Sequence, residues 1–175
     1  TRDLSALLLL DYLQIAQREN KKAPYTSKGI EEMIKHCIPL EYGEVSDIAP
    51  DMRLTLQNAG HIIGSSTTHV HIGEGLYYVL YTGDMKYGKS QLLAPAHTNF
   101  PRLETLTIES TYGGKTNILP PVREQDEYLK NIIKETIGRG GKVLMPVLGS
   151  GRAQDIMVMI ESLVRNKELD PVPVY

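Results

Sequence analysis

A chain of 175 residues with a formal net charge of −2, 41% hydrophobic and 23% charged residues has the balance of an ordinary folded protein, long enough for one domain or parts of two. Near-neutral charge excludes a compact module that lives by nucleic-acid binding alone, since such a module is clearly basic. The single cysteine, Cys37, excludes an intrachain disulfide and any zinc finger and fits a reducing, cytoplasmic compartment, so a metal would have to use histidine and carboxylate.

No membrane partner is expected, because the longest apolar run, Ala6 to Leu10, is far too short to span a bilayer. A start at Thr1 without Met and an apolar finish at Tyr175 predict a piece of a longer polypeptide. Leu4, Leu7, Leu8 and Tyr12 through Ala16 predict a mostly buried first helix, closed by Arg18 to Lys22 and Pro24. Ser27 is the expected cap of a second helix, in which Ile30, Met33, Ile34 and Cys37 share a face and which Pro39 ends. Met52, Leu54 and Leu56 alternate with Arg53, Thr55 and Gln57, the period of a half-buried strand. Residues 67–72 and 76–81 follow as strands joined through Gly73-Glu74-Gly75, and residues 103–108 form another after an irregular stretch.

Beyond Gly113-Gly114 the pattern changes. Val122, Leu129, Ile132 and Ile133 mark a helix that Gly138 to Gly141 terminate. Lys142 to Val147 reads as a short apolar strand, and Gly149-Ser150-Gly151 opens a helix from Arg152 to about Asn166. A last strand ends at Tyr175. The alternation predicts a parallel α/β unit, with a boundary near residues 112–121.

Four segments carry candidate chemistry. In Asn58-Ala59-Gly60-His61-Ile62-Ile63-Gly64-Ser65 a strand ends and glycines present a histidine at a bend; neutral imidazole is the commonest metal ligand, though a lone loop histidine is more often a surface residue. In Tyr81-Thr82-Gly83-Asp84 an apolar strand delivers a carboxylate past its carboxyl end, where open α/β sheets place working groups; the bland alternative is a turn-forming aspartate. Ile108-Glu109-Ser110-Thr111-Tyr112-Gly113 repeats that arrangement, and Glu109 could orient a histidine by accepting its N–H or simply serve its loop. In Gly149-Ser150-Gly151-Arg152 a glycine-rich turn opens a helix whose free N–H groups favour an anion, with Arg152 as a phosphate partner. His69 and His71, two apart on one strand, share a side at a spacing that zinc enzymes use, but they lie mid-strand and an exposed polar face explains them as well; with His36 and His97 they are assigned to structure or solvent.

In this order the four segments, with Gly151-Arg152-Ala153-Gln154 completing the last, resemble the β-CASP branch of the metallo-β-lactamase superfamily. The likeness is strongest to the nuclease subunit of the cleavage and polyadenylation specificity factor and its archaeal relatives, and it covers essentially the whole chain. It implies the C-terminal half of a metallo-β-lactamase αββα sandwich over residues 1–115, followed by the start of an inserted β-CASP α/β domain over residues 116–175. It also implies that His61 is a zinc ligand and that Asp84 bridges two zincs. Glu109 then supports a histidine near the site, making Asp84 and Glu109 catalytic, and Ser150 and Arg152 contact RNA.

The activity implied is zinc-dependent hydrolysis of single-stranded RNA, endonucleolytic with a 5′→3′ exonuclease side, in 3′-end processing, transcription termination or decay. A homodimer or an RNA-processing complex is implied as well. The family's upstream His-x-His-x-Asp-His cluster and its downstream histidines are absent, so this chain supplies two ligands and is not expected to cleave RNA unaided. The alternatives are a non-catalytic scaffold of the same fold and a small-molecule zinc hydrolase. Intact His61, Asp84 and Glu109 argue against the first, and the Glu109 and Arg152 segments against the second.

Overall fold

Helix-forming leucines after Thr1 wind α1 (Arg2–Arg18), and Thr26 starts α2 (Ser27–His36), in a computed structural model that describes residues 1–175. The cap is Thr26 rather than Ser27: its hydroxyl accepts the Gly29 N–H at 3.2 Å, and Ser27 is the first helical residue. The two helices pack on one another, with the Tyr12 and Tyr25 rings 5.8 Å apart. The first helix is not mostly buried. Only Ala16 is, while Leu7, Leu8, Leu10, Tyr12 and Ile15 face solvent, because apolar side chains surround the helix and α2 covers one strip of it.

Five strands form one mixed sheet in the order β1 (Val45–Ala49), β2 (Met52–Asn58), β3 (Ser66–Ile72), β4 (Tyr77–Tyr81) and β5 (Thr105–Thr107). The first four are antiparallel neighbours, and β5 runs parallel to β4, with Tyr81 opposite Thr107. The parallel pair puts the carboxyl ends of β4 and β5 side by side, and β2 ends in the loop that carries His61. The strand β1 adds an edge that the apolar pattern does not announce.

The register puts Thr55 opposite His69 and Arg53 opposite His71, and these lie on the same face as Tyr78 and Leu80. This polar face is the covered one. Thr55, Thr67, His69 and Leu80 are buried, whereas Met52, Leu54, Leu56, Val70 and Val79 on the other face are only half-buried. Of the two roles open to it, His69 takes structure rather than solvent: the segment after β4 folds back over it, so it is 4% exposed. Its Nε2 lies 3.1 Å from the Arg102 carbonyl, which makes it the donor there, and Phe100 packs on the ring at 5.3 Å. That leaves Nδ1 to accept the His71 Nε2–H at 3.2 Å.

The last third holds α3 (Val122–Gly138) and α4 (Arg152–Arg165), which share a core of Ile133, Ile160, Leu163 and Leu169. Met145 and Val172 pack against that core, yet neither expected strand forms. Residues 142–147 make no backbone hydrogen bond, and Leu144 is 93% exposed. The burial pattern there still alternates, one side on the helices and one in water. A strand is defined by its neighbour, and none lies within reach of this segment.

Neither helix pair lies against the strands. The accessible surface is 13199 Å², against about 8,500 Å² expected of a compact monomer of this mass. Large apolar faces are therefore open to solvent. No helix is long and apolar enough to cross a membrane. The chain is an α/β protein built on a mixed five-stranded sheet.

Candidate functional site

The loop after β2 closes on itself and holds His61 at its tip. Asn58 Oδ1 accepts the Gly60 N–H at 2.9 Å, while Asn58 Nδ2 donates to the carbonyls of Ala94 and Pro95. Gly60 has φ +69°, and a Cβ there would stand 2.8 Å from both Ala96 N and Lys86 O. Only glycine fits between those backbones. Ser65 Oγ accepts the N–H groups of His61 and Ile62 at 3.1 and 3.2 Å. The Ser65 carbonyl takes the Ala59 N–H and the Tyr42 hydroxyl.

Asp84 follows β4 through Thr82, which is buried and bridges to β5. The Thr82 N–H donates to the Thr107 carbonyl at 3.0 Å, and its hydroxyl accepts the Glu109 N–H at 3.3 Å. Just past Asp84, the Lys86 N–H donates to the Ala59 carbonyl at 2.8 Å, tying this loop to that of His61. The result places His61 Nε2 3.9 Å from Asp84 Oδ2, with the side chains 45% and 74% exposed.

Glu109 is a tie between loops. One carboxylate oxygen accepts the Met85 N–H at 2.8 Å and the other the Thr111 hydroxyl at 2.6 Å. The Thr111 hydroxyl first, then the Met85 amide, hold this carboxyl below the usual carboxylate range, with a smaller contribution from His61. No histidine N–H reaches it within this chain; a carboxylate has about four lone-pair sites, so acceptor capacity remains.

The turn before α4 reaches the same place from ninety residues on. Gly151, at φ +92°, is so close to the His61 loop that a Cβ would stand 2.6 Å from Ile62 Cγ2. The sequence expectation of a free N–H here, open to an anion, is corrected. Gln154 Oε1 accepts this N–H at 2.6 Å, and Gln154 Nε2 donates to the Gly149 carbonyl at 3.1 Å. Asp155 Oδ1 accepts the Leu92 N–H at 3.1 Å and so fixes α4 to the segment after β4. Arg152 is exposed at the start of the helix, beside half-buried Ser150.

His61 and Asp84 are close enough to share one ion whose bonds to nitrogen and oxygen are about 2.0–2.2 Å long. No group of three or more His, Cys, Asp or Glu side chains converges in the chain, whereas a catalytic zinc takes at least three protein ligands. The donors present fit part of such a centre. The other histidines serve structure: His36 Nδ1 lies 2.8 Å from the Glu32 carbonyl and His97 Nε2 2.6 Å from that of Asn99. Thr82, Ser65, Thr111 and Gln154, which hold the site in shape, carry no signature beyond being polar residues within a few positions of a candidate.

Fold and site together define an α/β protein that gathers a histidine, two carboxylates and a glycine-rich helix start at one end of its sheet. No family model matches the chain. Over all 175 residues it is 53% identical to the transcription termination factor FttA of Methanocaldococcus jannaschii, 50% to that of Methanothermobacter thermautotrophicus and 49% to that of Pyrococcus abyssi. It spans 27 to 28% of the length of these relatives.

Proposed function

We propose that this chain is part of a zinc-dependent ribonuclease of the β-CASP metallo-β-lactamase kind that acts in transcription termination. In this reading residues 1–115 belong to a metallo-β-lactamase domain and residues 116–175 to an inserted β-CASP domain. The carrying observation is convergence: His61 and Asp84 stand 3.9 Å apart, Glu109 binds the amide next to Asp84, and the Gly151 turn abuts the His61 loop. The names of the relatives support the process, and single-stranded RNA is the partner it requires.

His61 and Asp84 would supply part of a zinc site completed by donors elsewhere in the polypeptide. The metal, when bound, activates water and stabilises charge on a phosphodiester. Glu109 keeps the Asp84 loop in register through the Met85 amide, and Arg152, exposed at the helix start, contacts an RNA phosphate, with Ser150 beside it. Assembly as a homodimer or within an RNA-processing complex belongs to the same proposal.

The test uses the complete polypeptide: bound zinc and cleavage of single-stranded RNA, with and without His61→Ala. Loss of zinc together with loss of cleavage is the expected result. Full zinc and full cleavage in the variant would overturn the assignment of His61. A wild-type protein that holds no zinc and cleaves nothing yet enters an RNA-processing complex would favour the scaffold reading.

A further inference from the structure

The loops that leave β4 and β5 repeat one another in a way the proposed catalytic chemistry does not require. In each, a carboxylate just past the strand is followed at the third position by tyrosine, then by glycine and lysine. One reads Asp84-Met85-Lys86-Tyr87-Gly88-Lys89, the other Glu109-Ser110-Thr111-Tyr112-Gly113-Gly114-Lys115. Because β4 and β5 are adjacent and parallel, both loops emerge at the same edge, with Tyr81 level with Thr107. The Met85–Glu109 hydrogen bond locks one to the other.

Both tyrosines are displayed rather than packed. Tyr87 is 77% exposed and Tyr112 is 64% exposed, although the backbone around each is held. Lys86 is pinned at both its N–H and its carbonyl, by Ala59 and Ala96. The second loop is closed by turns, the Gly113 N–H donating to Ser110 and the Asn117 N–H to Gly114. Both side chains are thus held out in solvent on hydrogen-bonded backbone.

The electrostatics narrow the occupant. From Met85 to Leu103 there is no aspartate or glutamate, although the chain as a whole has 21 acids to 19 lysines and arginines. Lys89 and Lys115 are exposed, and none of the chain's ion pairs uses either. An exposed aromatic followed two or three residues on by an exposed lysine, twice over at one end of the sheet, suits a polymer of alternating flat rings and phosphates. A protein partner would use the ring area but has no regular anion to match each lysine.

We infer that Tyr87 and Tyr112, with Lys89 and Lys115, form a stacking platform for single-stranded RNA at the mouth of the His61–Asp84 site. Two unpaired bases lie on the rings while the lysines take the flanking phosphates. This rests on the RNA reading above and deepens it.

The test uses the complete polypeptide and a single-stranded RNA carrying 2-aminopurine, whose fluorescence is quenched on stacking. Tyr87→Ala and Tyr112→Ala should each reduce the quench and weaken binding by about tenfold, and Tyr→Phe at either position should keep both. Lys89→Ala and Lys115→Ala should each lower the salt dependence of binding by about 0.7 in the log–log slope. Because all four side chains are exposed, circular dichroism should be unchanged. Wild-type protein that binds the RNA while both alanine variants match it in quench and affinity would overturn the platform alone. Wild-type protein that binds no single-stranded RNA would overturn the RNA reading and the platform with it.

Discussion

Between Met52 and Tyr81 each strand finds its neighbour a few residues away, across the His61 loop or the Gly73–Gly75 turn. Lys142 to Val147 has similar alternation, packs Met145 onto two helices, and finds no neighbour at all. Antiparallel hairpins close locally. A strand meant for parallel pairing depends on chain that arrives from far off, as β5 does when it reaches β4 only after a crossover of more than twenty residues. The two regions therefore differ in where their hydrogen bonds must come from: the first draws them from adjacent strands, and the second makes none.

The largest expected effect is in amide exchange. In the isolated chain the amides of β2 and β3 should exchange at least about a hundredfold more slowly than those of Val143, Leu144, Met145 and Val147. Equal rates would remove the contrast, and protection of the second group in a longer polypeptide would sharpen it. Next comes Gly60→Ala, which sets a Cβ against backbone on three sides at a positive φ. Urea denaturation should show a loss of about 3 kcal/mol. Gly88→Ala, with no heavy atom near its Cβ, should stay within about 0.5 kcal/mol.

Thr111→Val should cost about 1 kcal/mol by removing a hydroxyl from Glu109. It should also change the acid limb. The folded pKa of Glu109 lies below the ordinary glutamate value of 4.5, so its contribution is full above 4.5 and is lost as pH falls through the folded value. The variant should show a shallower loss of stability over that range in denaturation at stepped pH. The smallest effect belongs to His71, whose imidazolium is disfavoured by burial first, then by His69 and Arg53. The unfolded chain takes that proton first, so stability should decline as pH drops from 6.5 toward the folded pKa. His71→Gln should flatten that part of the profile.

The parts of the fold that were legible in sequence are those set by neighbours in the chain. Period-two alternation over 52–58, 66–72 and 77–81, with glycines between, is enough to place three strands. His61, Asp84 and Glu109 were legible for the same reason, each standing just past an apolar run. What covers a strand was not legible. Thr55, Thr67 and His69 look like a wet face yet are buried, and over His69 the cover is Phe100 and Arg102, some thirty residues on. Gln154 taking the Gly151 amide was equally hidden, since the same sequence leaves that donor free or engaged according to one side-chain rotamer.

The carboxylate of Glu109 has a mechanical consequence. With one oxygen on the amide after Asp84 and the other on Thr111 of its own loop, Glu109 is a rivet between the loops of β4 and β5. Where a cation at Asp84 and a ligand on Tyr112 are coupled through this tie, linkage makes the coupling reciprocal, each changing the other's affinity by the same factor. Titrating each ligand in the presence of the other, with Thr111→Val as the loosened rivet, measures that factor directly; a factor of one in the unaltered protein would show that the loops move independently.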